Sequence, residues 1–99
     1  MAKNTKINLS RKLKSLKNLL MRARIRLGDS DDRKEKHLEL AQEELDNISN
    51  PPDEDDLSNA EGLACELKLA LDASNATEDI EIEISVIENR IRQVQSLLG

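Results

Sequence analysis

Apolar residues recur at alternating steps of four and three between residues 9 and 27. The stripe consists of Leu9, Leu13, Leu16, Leu20, Ala23 and Leu27. This spacing places all six side chains on one face of a helix and is typical of coiled-coil packing. We therefore predict a first helix over about residues 8–27, which ends at Gly28 because glycine commonly follows a helix C-terminus.

Two further apolar stripes follow in the middle of the chain, separated by a proline pair at residues 51–52 that interrupts helical structure. A second helix is predicted over about residues 31–48, with Asp29 or Ser30 as its N-cap. A third helix is predicted over about residues 53–73. We expect the inward faces of these two helices to consist of Leu38, Ala41, Leu45 and Ile48, and of Leu57, Ala60, Ala64, Leu67 and Leu71.

The last part of the chain supports two interpretations. The segment DIEIEIS alternates isoleucine with acidic residues, which is typical of a strand at residues 80–84. Over a longer window, apolar residues return to steps of four and three at Ile80, Ile84, Ile87, Ile91, Val94 and Leu98. Asn75 and Glu78 also have the spacing of a capping box. The longer pattern favours a fourth helix over about residues 76–98, with the short strand as the alternative.

Four helices with short connectors predict an all-α fold of two antiparallel hairpins in one small domain, residues 1–99. The near-heptad spacing favours a four-helix bundle-like arrangement with shallow crossing angles. A domain of this size, without any Phe, Trp or Tyr, has a small aliphatic core. Self-association stabilises such domains, so we expect a homodimer. The expected helix-packing interface comprises Leu13, Leu16, Leu20, Ile84, Ile87, Ile91, Val94 and Leu98.

Charge divides the chain sharply. Residues 1–28 carry nine basic and no acidic side chains, whereas residues 29–99 carry six basic and twenty acidic ones, which gives the net charge of -5. The candidate interaction or phosphate-contact residues are Lys12, Lys14, Lys17, Arg22, Arg24 and Arg26. They are suited to nucleic-acid phosphates, to an anionic membrane surface, or to acidic side chains of the same chain or a second one. The regular leucine stripe favours pairing with acidic side chains, and binding to nucleic acid is the second choice.

Composition excludes several kinds of chemistry. Without aromatic rings, the chain cannot stack bases on them or build an aromatic cage for a methylated ammonium group. Cys65 is the only cysteine, so neither an intrachain disulfide nor a cysteine-based zinc site is possible, and we expect it to be buried. His37 is the only histidine and is expected at the helix surface. We assign no catalytic, cofactor-binding or metal-binding residue and expect no enzyme activity and no cofactor.

No apolar run approaches the ~20 residues that span a bilayer, and the N-terminus lacks the apolar core of a signal peptide. We therefore expect a cytoplasmic protein without a transmembrane segment. The function we favour is that of a small non-enzymatic regulator, adaptor or inhibitor that acts through protein–protein contacts of its charged helical faces. Its expected partner is another protein or a second copy. The alternative is a nucleic-acid-binding accessory protein that uses the basic N-terminal helix.

Overall fold

The computed structural model describes the backbone of residues 2–99 and the side chains of residues 5–99. Helix α1 spans Ala2–Asp46 and helix α2 spans Leu57–Leu98, with a 3-10 turn at Glu54–Asp56 between them. The two long helices pack against each other as a hairpin, and no residue from 2 to 99 is in a strand. The all-α prediction is therefore confirmed over this range.

The chain divides into two compact units, and both helices contribute to each. Unit 1 consists of the N-terminal part of α1, up to Leu27, and Glu78–Gly99. Unit 2 consists of Gly28–Thr77, which includes the connector between the helices. The two units differ in what lies between their helices, and each is described by itself below.

Unit 1 has an aliphatic core built from the first and last of the predicted stripes. Its buried residues are Leu16, Ala23, Ile87, Ile91 and Val94, against which Leu9, Leu13, Leu20, Ile84 and Leu98 pack. On each helix, the residues of this core lie on one face because they recur at intervals of three, four or seven residues. Residues 80–84 are helical within α2, as the longer pattern predicts, and the alternative strand is absent. All eight residues of the expected packing interface lie in this one cluster.

The predicted helix ends at Gly28 and before residue 76 are wrong. Helix α1 continues through residues 28–30, and α2 continues through residues 74–75. Ser30 is completely buried inside the helix rather than at its N-cap, and its hydroxyl bonds to α2. One interior glycine costs a helix only about 1 kcal/mol, which packing along a 45-residue helix readily offsets. One chain therefore supplies two long helices instead of four short ones.

In unit 2 the predicted inward faces are wrong for most of their residues, although Ala41 is buried and Ile48 is half-buried as predicted. Five leucines expected inside are between 44% and 64% exposed, namely Leu38, Leu45, Leu57, Leu67 and Leu71. The fully buried residues of unit 2 are small or polar, namely Ser30, Ala41, Asp56, Ala70, Ala73 and Thr77, whereas the apolar residues Leu40, Ile48 and Leu63 are only half-buried. The steps of three and four that form the core of unit 1 continue past Leu27 without a shift. These five leucines each follow a position of that spacing by one residue and are therefore turned away from the other helix.

Asp56 organises the connector. Its carboxylate accepts hydrogen bonds of 3.0 Å from the backbone N–H groups of Asp53 and Ser49, and a longer one of 3.5 Å from the Ser49 hydroxyl. The Asp53 side chain in turn accepts a bond from the N–H of Asp55, and Asp53 and Asp56 together form a capping box at the 3-10 turn. The Asp53 N–H is the largest cause of a lowered pKa for Asp56, because these donors favour the charged carboxylate.

Asp56→Asn is expected to lower the melting temperature at neutral pH, because a neutral amide oxygen accepts the two backbone N–H bonds more weakly than the charged carboxylate does. The pKa of Asp56 is lower in the folded chain than its ordinary value of 3.8. Its contribution is therefore complete above that value and is lost as the pH falls through the lowered pKa. Melting curves from pH 7 to pH 2 should show the two proteins converging at the acidic end. The control Asp55→Asn changes an exposed side chain; an equal effect from it would contradict this role.

Gly28→Ala is expected to raise the free energy of unfolding by about 1 kcal/mol, because alanine is the better helix former. Gly28 is exposed within α1, and a Cβ there would meet no atom within 4 Å. Urea unfolding followed by circular dichroism measures the change. Gly62→Ala is the comparison, because its Cβ would lie 2.9 Å from the Cδ of Glu44, whose side chain must move. We expect a smaller gain there, and a loss at Gly28 would contradict the continuous helix.

Candidate interaction surface

Most exposed leucines of unit 2, with the exception of Leu69, lie on one side of its two helices. Leu38 and Leu45 of α1 line the same groove of about 240 Å³ as Leu63 and Leu67 of α2. Both helices therefore contribute to one surface. We call this surface the leucine face and define it as Leu38, Leu45, Leu57, Ala60, Ala64, Leu67 and Leu71.

Near the connector, the leucine face borders a second and larger groove of about 880 Å³. Its apolar lining is Ile48, Pro52, Leu57 and Ala60, and its acidic lining is Asp53, Glu54 and Asp56. Monomeric proteins rarely expose extended apolar patches, and such patches mark sites of interaction with other molecules. The combination of apolar lining and acidic residues makes this end of unit 2 suited to a partner that is apolar and basic.

The interior of unit 2 explains why so many leucines remain outside. The hydroxyl oxygens of Ser30 and Thr77 lie 2.8 Å apart, and both are within 3.0 Å of the carbonyl oxygen of Ala73. The hydroxyl groups of Ser30 on α1 and Thr77 on α2 therefore form a small hydrogen-bond network with the Ala73 carbonyl oxygen. The described side chains contain no buried polar atom without a hydrogen-bond partner. Satisfied polar contacts, with small residues such as Ala70 and Ala73, take the place of an aliphatic core here.

His37 and Glu66 form a second polar contact between the helices of unit 2. The Nδ1 of His37 lies 2.6 Å from Oε2 of Glu66, and their side chains are only 24% and 23% exposed. His37 is therefore half-buried and paired, which corrects the expected surface position. Cys65, expected to be buried, is exposed. Both corrections have one cause: the uninterrupted register places residues 37 and 66 between the helices and residue 65 outside.

The six basic residues singled out in the sequence are all exposed in unit 1: Lys12, Lys14, Lys17, Arg22, Arg24 and Arg26. Arg26 donates a 2.8 Å hydrogen bond from Nη2 to Oε1 of Glu83 on α2. Both side chains are about half exposed, so solvent limits this ion pair to roughly 0–1 kcal/mol. The expected pairing with acidic residues of the same chain is thus present at Arg26.

Lys17 and Arg24 belong to a shallow groove on α1. With Leu20, Met21 and Ile25 they line a volume of about 530 Å³. We call this feature the basic groove. It combines an apolar floor with two cationic side chains, whereas the leucine face combines apolar residues with nearby carboxylates.

Within the described residues, no group of three or more His, Cys, Asp or Glu side chains is placed to hold a metal ion. Among the described helices, none has a stretch long and apolar enough to cross a membrane. No protein-family model matches the chain, and comparisons with curated proteins and with solved structures give no significant match. The leucine face and the basic groove are therefore the two surface features that indicate a function.

Sequence reasoning identified the members of the leucine face as apolar but placed them between the helices. The signal that would have located them is the unbroken continuation of the unit 1 spacing from Leu27 to Ser30 and onward. Leu38 and Leu45 each follow a position of this spacing by one residue, and one residue corresponds to a rotation of about 100° around a helix. They therefore lie on a different face of α1 from the residues that contact α2.

Proposed function

We propose that this protein is a small non-enzymatic regulator or adaptor that binds another protein through the leucine face. One observation supports the proposal above others: the fully buried residues of unit 2 are small or polar, and six of its eight leucines are exposed. Burial of apolar area stabilises a complex by roughly 25 cal/mol per Å², before the losses that association entails. A partner that covers these leucines supplies the apolar packing that unit 2 lacks.

We also propose that the four-helix arrangement expected from the sequence forms between two hairpins, in a homodimer or with a partner. A single chain offers two helices, and on α2 the leucine face has steps of three and four from Leu57 to Leu71. That spacing matches helix packing in bundles, where apolar stripes of neighbouring helices meet at shallow angles.

The partner is sought with the tagged full-length chain in extract of its native host, with mass and stoichiometry measured on the complex. The captured protein is then purified and its affinity measured against Leu38→Ser/Leu67→Ser, which reduces the leucine face. The matched control is Ile82→Ser/Val86→Ser, which changes two exposed apolar residues of unit 1. We expect at least about a tenfold loss of affinity for the first variant and little for the control. Equal affinity for all three proteins would contradict the proposal.

A second candidate function is nucleic-acid binding, which the exposure of all six basic residues supports. Retention on duplex DNA would then fall steeply as salt rises, because each phosphate contact releases counterions. A variant with Lys12, Lys14, Arg22 and Arg26 replaced by glutamate would no longer be retained on duplex DNA, while its circular dichroism spectrum would show an intact fold. No retention at low salt would exclude this function.

A further inference from the structure

The two units carry opposite net charge. Unit 1 has eleven basic and five acidic side chains, a net +6. Unit 2 has four basic and fifteen acidic side chains, a net -11. Each unit also exposes apolar residues, in the basic groove of unit 1 and on the leucine face of unit 2. One chain therefore presents two surfaces with exposed apolar residues, one in a unit of positive net charge and the other in a unit of negative net charge.

The charges lie close to the apolar residues of each surface. Lys17 and Arg24 are part of the lining of the basic groove. Glu54 lines the groove near the connector together with Leu57 of the leucine face. Glu61 is exposed one helical turn beyond Leu57. Opposite charges around apolar patches guide association and set which surfaces pair.

We propose that the leucine face of one copy docks on the basic groove of a second copy, and that the reciprocal contact closes a twofold dimer. This inference rests on the proposed function, because it names the partner of the leucine face. Twofold symmetry makes each contact occur twice, so one association covers both leucine faces and both basic grooves. Pairing of two leucine faces instead would bring two units of charge -11 together, which repulsion opposes.

Charge reversal tests the pairing of the two surfaces. Sedimentation equilibrium of the full chain measures the dimer dissociation constant at low and high NaCl. Lys17→Glu/Arg24→Glu and Glu54→Lys/Glu61→Lys are each expected to weaken the dimer at least about tenfold. The chain that carries all four changes restores the opposite charges and is expected to regain most of the affinity.

The matched control is Lys12→Glu/Arg22→Glu, which makes the same change of charge on α1 away from the lining of the basic groove. We expect less than about a threefold effect from it. Higher salt is expected to weaken the wild-type dimer, because it screens the exposed charges. Equal effects of control and groove variants, or no recovery in the fourfold variant, would overturn the inference.

Disulfide cross-linking tests which surfaces meet. In a Cys65→Ser background, one chain carries Arg24→Cys and a second carries Ala64→Cys, so each has a single thiol. In an equimolar mixture we expect the mixed disulfide to dominate after mild oxidation. Dominance of the Ala64→Cys homodimer would show that two leucine faces meet, and it would overturn the inference.

Failure of this inference is distinguishable from failure of the proposed function. A chain that stays monomeric at all concentrations, or that grows into open polymers, overturns the twofold dimer. If that chain still binds another purified protein through the leucine face, the proposed function stands. If the chain dimerises and Leu38→Ser/Leu67→Ser leaves the dimer unchanged, the docking on the leucine face is overturned.

Discussion

Ile91→Ala is expected to lower the free energy of unfolding by about 3 kcal/mol, the largest loss we expect from a single substitution in this chain. Ile91 is buried in the aliphatic cluster of unit 1, with Ile87 and Val94 on the same face of α2. The substitution removes three carbon atoms and leaves a cavity. Few side chains of this small core can move to fill it.

Urea unfolding followed by circular dichroism at one protein concentration measures this loss, since self-association makes stability depend on concentration. Ile82→Ala is the matched control, because it makes the same chemical change in α2 at a side chain that is 63% exposed. We expect the control to stay within about 0.5 kcal/mol of the parent. Similar losses at residues 82 and 91 would mean that the heptad stripe is not the buried face of α2.

The packing of unit 1 was predictable from sequence because two independent properties agree there. Apolar residues follow an uninterrupted spacing of four and three, and each stripe has a complementary stripe on the other helix. The alternation around Ile82, which resembles a strand, covers too few residues to compete with the longer pattern. Hydrophobic periodicity therefore located both the helices and the faces that meet.

Hydrophobic periodicity did not predict the interior of unit 2. In this unit the apolar stripe of each helix is on a different face from the one that packs against the other helix. Periodicity shows that Leu38, Leu45 and Leu67 share a helix face with other apolar residues, but not what covers that face. Within unit 2, His37 and Glu66 lie between the helices and contact each other. A stripe that the hairpin leaves exposed is the signal of a further partner.

The helix ends differ from the prediction because tertiary contacts outweigh the local preferences of single residues. Gly28 and Ser30 resemble a stop followed by a cap, and each is favourable at such a boundary. Their preferences amount to about 1 kcal/mol, which tertiary contacts such as the buried bond from Ser30 to the Ala73 carbonyl outweigh.

The second large effect is expected at the polar contact of unit 2. The double variant His37→Leu/Glu66→Leu is expected to raise the free energy of unfolding by about 2 kcal/mol. Two half-buried polar side chains are then replaced by apolar ones of similar size, a change that is often stabilising. Glu66→Leu alone is expected to lower stability by about 1 kcal/mol, because it leaves the His37 Nδ1 without its carboxylate partner.

The double-mutant cycle separates the value of the contact from the value of burying leucine. Lys36→Leu/Lys68→Leu is the matched control, with one exposed position on each helix of unit 2, and we expect a change of less than about 0.5 kcal/mol from it. A double variant less stable than the parent would show that the hydrogen-bonded pair stabilises unit 2 better than aliphatic packing does. A more stable one would show that unit 2 gives up stability in its interior, while the leucines that could have filled it remain on the outer face for a partner.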